Sequence, residues 1–284
     1  MTQSTVAVIM PAFNAAKYLR QCIASFQEQT YNDWHLYCVD RGSTDGTLEI
    51  LNDFASKWEK LTVLNGGNER TSQINVGVRS SQSTYIYYTA SDFIVDKKLL
   101  EDAVGACEAM NADGAWINCH SYGDGFWARV RNLERTTYFG SEKFEGVRFF
   151  RRDAYLRVGG YDDDVPIFEE YDLQDRLLRS GARLTRITAS AEYHLGEPES
   201  LREIATKSYY YGTKYIPLLE KQGGAALRHV NPVRSTFFRQ WKSFARSPVL
   251  TAGFFVMLAV KYGSGGAGAL SVLIARLMKP APPR

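Results

Sequence analysis

Over its first 120 residues the chain alternates short apolar runs with longer segments in which apolar residues recur every three or four positions. Short apolar runs between polar turns predict buried strands, and the longer spacing predicts amphipathic helices. We expect strands at Val6–Met10, Leu36–Val39, Leu61–Leu64, Tyr85–Tyr88 and Ala115–Asn118, and helices over 15–30, 47–58, 70–80 and 97–110. This alternation predicts an α/β fold with a mostly parallel sheet and right-handed crossovers.

Beyond residue 120 the pattern is less regular. Glycine and arginine are frequent over 123–135, which predicts irregular structure there. Farther on we expect a strand at Glu145–Arg152, a helix over 170–180 closed by Gly181, a strand at Leu184–Ile187 and a helix over 200–220. These elements extend the α/β pattern to about residue 220.

Two apolar segments near the C-terminus, 249–262 and 268–278, follow a basic amphipathic helix expected over about 233–246. Neither segment reaches the roughly 20 residues of a membrane-spanning helix. We therefore expect interfacial or re-entrant helices, with packing against the rest of the protein as the alternative. The stretch 263–268 matches G-x-G-x-x-G, but a dinucleotide site also needs a βαβ unit and a later acidic residue. No Asp or Glu follows Glu220, so we interpret the stretch as a flexible hinge.

Charge is distributed unevenly along the chain. The net charge is +3, yet residues 1–220 carry an excess of acidic residues, whereas the segment after Glu220 carries ten basic residues and no acidic one. A basic segment can bind nucleic acid or an anionic membrane surface. This one also contains Trp241 and the apolar run Val249–Val260. The combination favours a membrane surface, and we expect no nucleic acid as partner.

The four cysteines are scattered, with no Cys-x-x-Cys pair: Cys22, Cys38, Cys107 and Cys119. Scattered cysteines of this kind predict reduced, buried thiols in a cytosolic setting, not a disulfide framework or a zinc site. The first five residues lead directly into a predicted strand, so no signal peptide is expected.

Two of the predicted strands end in polar turns of a kind suited to a nucleotide. The first turn is Pro11-Ala12-Phe13-Asn14, and the second runs from Asp40 through Gly-Ser-Thr-Asp-Gly to Thr47. Ligands of open α/β sheets bind outside the carboxyl ends of the strands, where both turns lie. Asp40 could accept a ring N–H of uracil or guanine. The alternative is that both are ordinary turns between a strand and a helix.

Together the two turns resemble the opening of the family 2 glycosyltransferases. The resemblance implies a GT-A fold, a nucleotide-sugar donor and inversion at the anomeric carbon. In that family the second turn usually reads Asp-Asp/Asn-Gly-Ser-x-Asp, and here Arg41 replaces the second residue while Asp40 and Asp45 keep their places. The resemblance covers about 200 residues and explains the C-terminal segment less firmly.

The family resemblance also indicates where a metal would bind. The usual Asp-x-Asp-Asp motif corresponds here to Thr89-Ala90-Ser91-Asp92, so one carboxylate remains. Asp92 could hold Mn or Mg together with diphosphate oxygens and water, with Ser91 as a weak helper. His194 matches a histidine that contacts metal or diphosphate in many relatives. The alternatives are a capping role for Asp92 and a structural role for His194.

The catalytic base is expected at the start of a helix in the second half. There the sequence reads Phe-Glu-Glu-Tyr-Asp, and Glu170 matches the catalytic aspartate of the family, with Asp172 as second choice. Acidic residues are also favoured at helix N-termini for purely electrostatic reasons. Arg70 is placed to meet the donor, and Arg148 lies on a strand expected to border the acceptor site.

The sequence therefore predicts a GT-A domain over 1–220, with a nucleotide-binding half at 1–120 and an acceptor half at 121–220, and a membrane-associating tail over 221–284. The expected reaction moves one sugar to a hydroxyl of a lipid-linked or glycan acceptor at the cytoplasmic face of the cell membrane. We expect a UDP-sugar more than a GDP- or dTDP-sugar, and the tail could also form a homo-oligomer. The Gln-x-x-Arg-Trp motif of processive relatives is missing, since the chain reads Gln174-Asp175-Arg176-Leu177.

Two rival functions remain open. The eroded metal motif and Arg41 would fit a nucleotide-sugar-binding relative that has lost catalysis. A nucleotidyltransferase would share this type of sheet, but it would need a glycine-rich basic loop after the first strand, where the chain instead has Pro11-Ala12-Phe13-Asn14.

Overall fold

The computed structural model describes residues 5–165, 167–222, 231 and 234–278. Its strands form a single sheet, in the order β3-β2-β1-β4-β7-β6-β8-β5. The strands are β1 (Val6–Ala12), β2 (Trp34–Asp40), β3 (Leu61–Asn65), β4 (Tyr85–Tyr88), β5 (Phe93–Val95), β6 (Gly114–Ser121), β7 (Val147–Arg151) and β8 (Leu184–His194).

Helices connect these strands and continue beyond them. They are α1 (Ala16–Gln27), α2 (Thr47–Lys57), α3 (Arg70–Ser80), α4 (Leu99–Ala109), α5 (Phe126–Thr136), α6 (Arg152–Arg157), α7 (Glu169–Arg179), α8 (Leu201–Gln222), α9 (Ser235–Arg239), α10 (Trp241–Arg246) and α11 (Pro248–Leu277). The predicted α/β class is confirmed. The predicted irregular segment 123–135 is wrong, because α5 occupies most of it and buries Val130 and Glu134, four positions apart, on one side of the helix.

The sheet is mixed, and its parallel part positions the nucleotide-type turns. β1 pairs in parallel with β2 and β4, and β2 pairs in parallel with β3. β7 runs antiparallel to both β4 and β6, and β5 antiparallel to β8. Every residue of β1 is buried, and alternate residues join two different apolar clusters, Val8 in one and Ile9 in the other. Since alternate side chains of a strand point to opposite faces, both faces of the sheet are covered.

The chain divides into two compact units. The first contains the residues up to His120 together with Gly140–Gly196, and the second contains Ser121–Phe139 together with the residues from Glu197 onwards. The predicted boundary at residue 220 differs from this division, because α5 and α8 belong to the same unit as the tail. Phe254 and Met257 of α11 share an apolar cluster with Val130 and Ile204, which accounts for the grouping.

The predicted hinge at 263–268 is wrong, because α11 runs through it as one helix of 30 residues. These glycines allow two helices to approach closely. A Cβ on Gly212 of α8 would lie 2.0 Å from the carbonyl oxygen of Gly265, and one on Gly268 would lie 2.2 Å from that of Tyr209. Within the described residues, α11 is the helix that is long and apolar enough to cross a membrane, by length and composition alone.

The basic segment before α11 forms two short helices instead of the one predicted over 233–246. The break falls at Gln240, between α9 and α10. Aromatic contacts hold both to α11: the ring of Phe254 lies 5.1 Å from that of Phe237 and 5.0 Å from that of Phe244. The Thr251 hydroxyl also donates to the Phe244 carbonyl at 2.7 Å.

Candidate active site

The turn after β2 is organised by the carboxylate of Asp40. This residue is 2% exposed, and its Oδ2 accepts the backbone N–H groups of Gly42 at 2.7 Å and Ser43 at 3.0 Å. The Ser43 hydroxyl donates to Oδ1. Gly42 has a φ of +90°, which side-chain-bearing residues rarely adopt. The structure thus gives Asp40 a turn-forming role, while its predicted contact with a nucleobase stays a prediction.

A second set of hydrogen bonds joins the turns after β1 and β2. The Asn14 N–H donates to the Ser43 hydroxyl oxygen at 3.0 Å, and the Thr44 N–H donates to Asn14 Oδ1 at 3.0 Å. Asp45 accepts from the Thr47 hydroxyl at 2.6 Å and from the Ala16 N–H at 3.1 Å. The Thr47 hydroxyl is the main cause of the lowered pKa of Asp45. Two turns far apart in sequence therefore form one rigid rim.

This rim borders a cavity of about 510 Å³ at the carboxyl ends of β1, β2 and β4. Six of the predicted site residues line it: Pro11, Phe13, Asn14, Arg70, Ser91 and Asp92. The rest of its lining is formed by Ala15, Lys17, Tyr18, Arg41, Glu69, Gln73, Ala90 and Gly196. The other predicted site residues, Ala12, Asp40, Glu170, Asp172 and His194, are not part of this lining.

Sequence reasoning missed Gln73, which fixes the floor of the cavity. Its side chain is buried, and Nε2 donates to the carbonyl of Ala12 at 2.9 Å and to that of Val39 at 2.6 Å. One amide thus bridges the ends of β1 and β2. A buried amide donor without a partner is costly, so these two bonds satisfy the Gln73 side chain in its buried position. The position of Gln73 one turn into α3, after a strand, was the only signal in the sequence.

Arg41, where the family turn usually has an acid or amide, forms part of the cavity wall. Its guanidinium lies 3.9 Å from the centre of the Phe13 ring, a cation–π contact. It donates to the Asn68 carbonyl and lies 3.9 Å from the Glu69 carboxylate. Arg41 therefore places a planar, positively charged guanidinium at the rim. The usual family residue, an acid or amide, would place a hydrogen-bond acceptor there.

Asp92 of the cavity lining is in contact with His194. Antiparallel pairing of β5 with β8 sets Phe93 opposite His194. Asp92 Oδ2 then lies 3.1 Å from His194 Nε2. Gly196 is needed here, since a Cβ at that position would lie 2.4 Å from Asp92 Oδ2. The structure thus brings together the two residues predicted to bind metal.

The spacing of Asp92 and His194 is compatible with two ligands of one cation. Adjacent ligands of an octahedral ion at about 2.1 Å are separated by about 3 Å, close to the observed spacing. Within the described ranges, no group of three or more His, Cys, Asp and Glu side chains could hold a metal. Mg²⁺ commonly takes one or two protein ligands and completes its shell with phosphate and water. The protein alone therefore supplies an incomplete site.

The N-terminus of α7 carries the predicted base beside a second glutamate. Glu169 is buried and forms an ion pair with Arg70 of the cavity wall. Burial raises the pKa of Glu169, although the Arg70 charge acts in the opposite direction. Phe168, just before the helix, has a φ of 59°. This left-handed residue turns the chain sharply into α7.

Arg148 of β7 forms an ion pair with Glu170. Its guanidinium lies 3.1 Å from Glu170 Oε1 and 2.7 Å from Oε1 of the fully buried Glu192. Glu192 also accepts the Tyr87 hydroxyl at 2.7 Å. The Arg148 guanidinium lies 4.8 Å from the centre of the Phe93 ring, and that ring lies 4.8 Å from the His194 ring. Arg148 thus connects the predicted base with the predicted metal ligands.

Asp172 lies on another face of α7 and has different partners. It forms an ion pair with Arg176 at 2.7 Å. Arg176 in turn donates to the carbonyls of Val158 at 2.6 Å and Gly160 at 2.7 Å. Asp172 therefore helps to hold a turn in place. Its predicted part as a second base stays a prediction.

A comparison against protein families agrees with the fold. The model of the family described as "Glycosyl transferase family 2" matches residues 7–162, more than half of the chain. This chain belongs to that family. The match confirms the predicted family and the glycosyltransferase class, while inversion and single-sugar transfer stay predictions.

Several curated proteins are similar in sequence. The PGL/p-HBAD biosynthesis glycosyltransferase of Mycobacterium tuberculosis is 24% identical over 200 residues, which cover 66% of this chain and 74% of the relative. The glycosyltransferase GlyG of Streptococcus pneumoniae is 29% identical over 41% of this chain and 40% of its own length. Hyaluronan synthase of Pasteurella multocida is 25% identical over 77% of this chain. The alignment covers 23% of that synthase, so this chain matches less than half of the latter two relatives.

Solved structures support the predicted GT-A fold. The mannosyltransferase PcManGT of Pyrobaculum calidifontis, in complex with GDP-Man and Mn²⁺, has a TM-score of 0.58 at 17% identity, covering 100% of this chain and 78% of that one. TarS 1-349 of S. aureus in complex with UDP has a TM-score of 0.55 at 16% identity, covering 95% and 92%. At these identities the likeness concerns the fold.

Proposed function

We propose that the protein transfers a single sugar from a nucleoside diphosphate sugar to an acceptor hydroxyl, with inversion at the anomeric carbon. The observation that carries this proposal is the cavity, which gathers Lys17, Arg70 and Asp92 around one space of about 510 Å³. That volume is typical of small-molecule sites. Solved neighbours in complex with UDP, UDP-GlcNAc and GDP-Man support a nucleotide-sugar donor.

Asp92 and His194 would hold a divalent cation, Mn²⁺ or Mg²⁺, together with the donor diphosphate. When bound, the cation would neutralise the charge that develops on the leaving diphosphate. The Mn²⁺ in the PcManGT complex supports this assignment. Arg70 and Lys17 contribute positive charge from the cavity wall. Fixed charges of this kind stabilise a leaving anion without reorganising during the reaction.

Glu170 would act as the base. As the acceptor oxygen attacks the anomeric carbon and the bond to the diphosphate breaks, the hydroxyl proton passes to a Glu170 carboxylate oxygen. General base catalysis needs a carboxylate held in one place. The ion pair of Glu170 with Arg148, at 3.1 Å, supplies that restraint.

The donor base and the acceptor follow from less direct observations. We propose a UDP-sugar ahead of a GDP- or dTDP-sugar, with Asp40 shaping the turn beside the base. For the acceptor we propose a lipid-linked glycan at the cytoplasmic face of the cell membrane. The long apolar α11 and the basic residues beside it support a location at the membrane.

A non-catalytic sugar-nucleotide binder is the second candidate. It is favoured by the lack, among the described residues, of a metal-binding group with three or more protein ligands. A binder of this kind would retain donor affinity but release no nucleoside diphosphate from the donor.

The test is release of nucleoside diphosphate from a panel of sugar donors, with a bacterial lipid extract as the source of acceptor and Mn²⁺ present. We expect release with one donor, and a decrease of about 10²-fold or more in Glu170→Gln, the usual effect of removing a general base. Donor affinity of the variant should match that of the wild type. Equal turnover of the two proteins would contradict the role of Glu170, and no turnover with any donor would favour the binder.

A further inference from the structure

One face of α11 is apolar and exposed along its whole length. Its large exposed side chains form one group near each end of the helix, with small residues exposed between the groups: Val249, Phe255, Val256, Leu270, Leu273, Ile274 and Leu277. Positions three, four or seven apart lie on one side of a helix. We call this set the apolar stripe. It extends over nearly the full 30 residues, or about 45 Å.

The opposite face of α11 is occupied by protein. Phe254 and Met257 are buried in the apolar cluster of the second unit. Farther along, Gly265 and Gly268 lie against the backbone of α8. Close contacts between backbones leave no room for lipid on this side. α11 is therefore a one-sided helix with one packed face and one open face.

A charged residue lies near the middle of α11. Lys261 Nζ donates to both carboxylate oxygens of Glu134, at 3.1 and 3.2 Å, and Arg131 forms a second ion pair with Glu134. Burial lowers the pKa of Lys261 to about 8, although Glu134 acts in the opposite direction. Burial also opposes ionisation of Glu134, but the charges of Arg131 and Lys261 outweigh it and lower the pKa of that carboxyl.

This ion pair argues against a helix that crosses the bilayer. In a spanning orientation Lys261 would lie near the centre of the hydrocarbon, where charged side chains are strongly disfavoured. α8, which packs along α11, would enter with it and carry Lys207, Lys214 and Glu220 into the same region. Length and hydropathy allow a span, but the packing of this helix does not.

The segment before α11 presents groups suited to lipid headgroups. Phe238 is 70% exposed and Trp241 is 60% exposed. Lys242 and Arg246 are exposed on α10, and no acidic residue follows Glu220 anywhere in the sequence. Tryptophan is enriched at membrane–water interfaces, and clustered basic residues bind anionic lipids.

We propose that α11 lies in the plane of the membrane interface, with the apolar stripe at the acyl boundary and Lys242 and Arg246 at anionic phospholipid headgroups. In-plane helices with one apolar face bind in this way. The inference rests on the proposed membrane location and specifies the surface responsible. It does not depend on the chemistry in the cavity, so donor binding can fail while vesicle binding succeeds, or the reverse.

Flotation of the full-length protein with vesicles tests the proposal. We expect binding to vesicles of phosphatidylglycerol and phosphatidylcholine, and at least tenfold weaker binding to phosphatidylcholine alone. The double variant Phe255→Glu/Leu273→Glu should lose binding at least tenfold, and Lys242→Glu/Arg246→Glu should lose it on the anionic vesicles. Met110→Glu changes an exposed apolar residue of the other unit and serves as the matched control, with no change expected.

Three results would overturn the proposal. The first is equal vesicle binding by the wild type and the stripe variant. The second is resistance of the bound protein to extraction by alkaline carbonate, which would indicate a spanning helix. The third is a lipid-free oligomer that the stripe variant converts to a monomer, since this would make the stripe an interface between copies. Far-UV circular dichroism confirms that each variant is folded.

Discussion

At the scale of single residues, two carboxylates on α7 differ in their surroundings. Glu170 lies against Arg148, and a Cβ on Gly146 would lie 2.5 Å from its Oε2, so the carboxylate fills a close-fitting space. Asp172 is bound by Arg176, whose remaining donors hold a nearby turn. These surroundings support the proposal that Glu170 accepts the proton, and they give Asp172 a structural contact.

Asp172→Asn should leave turnover nearly unchanged and reduce stability. The amide cannot form the ion pair with Arg176, and a partly exposed pair contributes about 1 kcal/mol or less. Thermal denaturation and donor turnover measured side by side check this. A loss of turnover as large as that of Glu170→Gln, without a loss of stability, would move the base to Asp172.

Arg148→Lys should lower kcat about tenfold or more and leave the KM for the donor nearly unchanged. Lysine keeps the charge but cannot bridge Glu170 and Glu192 with a planar fork. Arg151→Lys, on the same strand, is the matched control, because Arg151 stacks on Tyr85 away from these carboxylates. A rise in KM with constant kcat would show that Arg148 acts in donor binding and not in positioning the base.

The buried thiols should make the protein less stable in alkali. Burial raises the pKa of Cys22 and Cys38, and that of Cys107 to about 12. Above about pH 9 the unfolded chain loses thiol protons that the folded chain keeps, so the free energy of unfolding falls as pH rises. Thermal melts between pH 7 and 10 should show the fall.

A thiol reagent should label Cys119, which is half-buried, before the other three cysteines, which are buried.

At the scale of elements, the packing of α8 against α11 depends on glycine. The carbonyl of Gly265 is backbone and cannot rotate away from a new side chain at position 212. In the sequence, the glycines at 263–268 interrupt the apolar pattern and therefore indicated a hinge. The apolar pattern of one segment cannot show that a second helix packs closely against it. The hinge prediction was wrong for that reason.

Gly212→Ala should destabilise the protein by about 1–3 kcal/mol, the usual cost of overpacking. Gly263→Ala is the matched control within the same helix pair. Nothing lies within 4 Å of its new Cβ, so alanine should be neutral or stabilise by up to about 1 kcal/mol. Chemical denaturation of the two variants gives the comparison. Equal effects of the two substitutions would show that α8 and α11 do not approach closely.

At the scale of the whole molecule, the strands of the sheet were predictable from the sequence, whereas the grouping of α5 with the C-terminal helices was not. Strands such as β1 and β4 were predicted to within one or two residues because they are uniformly apolar and bounded by polar turns. The grouping of α5 with the tail could not be predicted, because it depends on contacts such as Lys261 with Glu134, 127 positions apart. Long-range ion pairs leave no periodic signal.

The candidate site, too, could be predicted from the sequence only in part. Turn chemistry identified the rim residues Phe13 and Asn14, and the structure places both at the cavity. Gln73 and Arg148 act through partners on other elements of the fold, so no local motif marks their contacts. The role of Asp40 is similar, because its hydrogen bonds to its own turn became visible only with the fold.

The most direct test of the central claim is calorimetric titration of the protein with UDP-, GDP- and dTDP-sugars, with and without Mn²⁺. We expect binding of one nucleotide that Mn²⁺ strengthens, and loss of the Mn²⁺ effect in Asp92→Asn. Ser43→Ala, at the rim, should retain the Mn²⁺ effect. Absence of binding by every sugar nucleotide, or equal binding by the wild type and Asp92→Asn in Mn²⁺, would contradict the account.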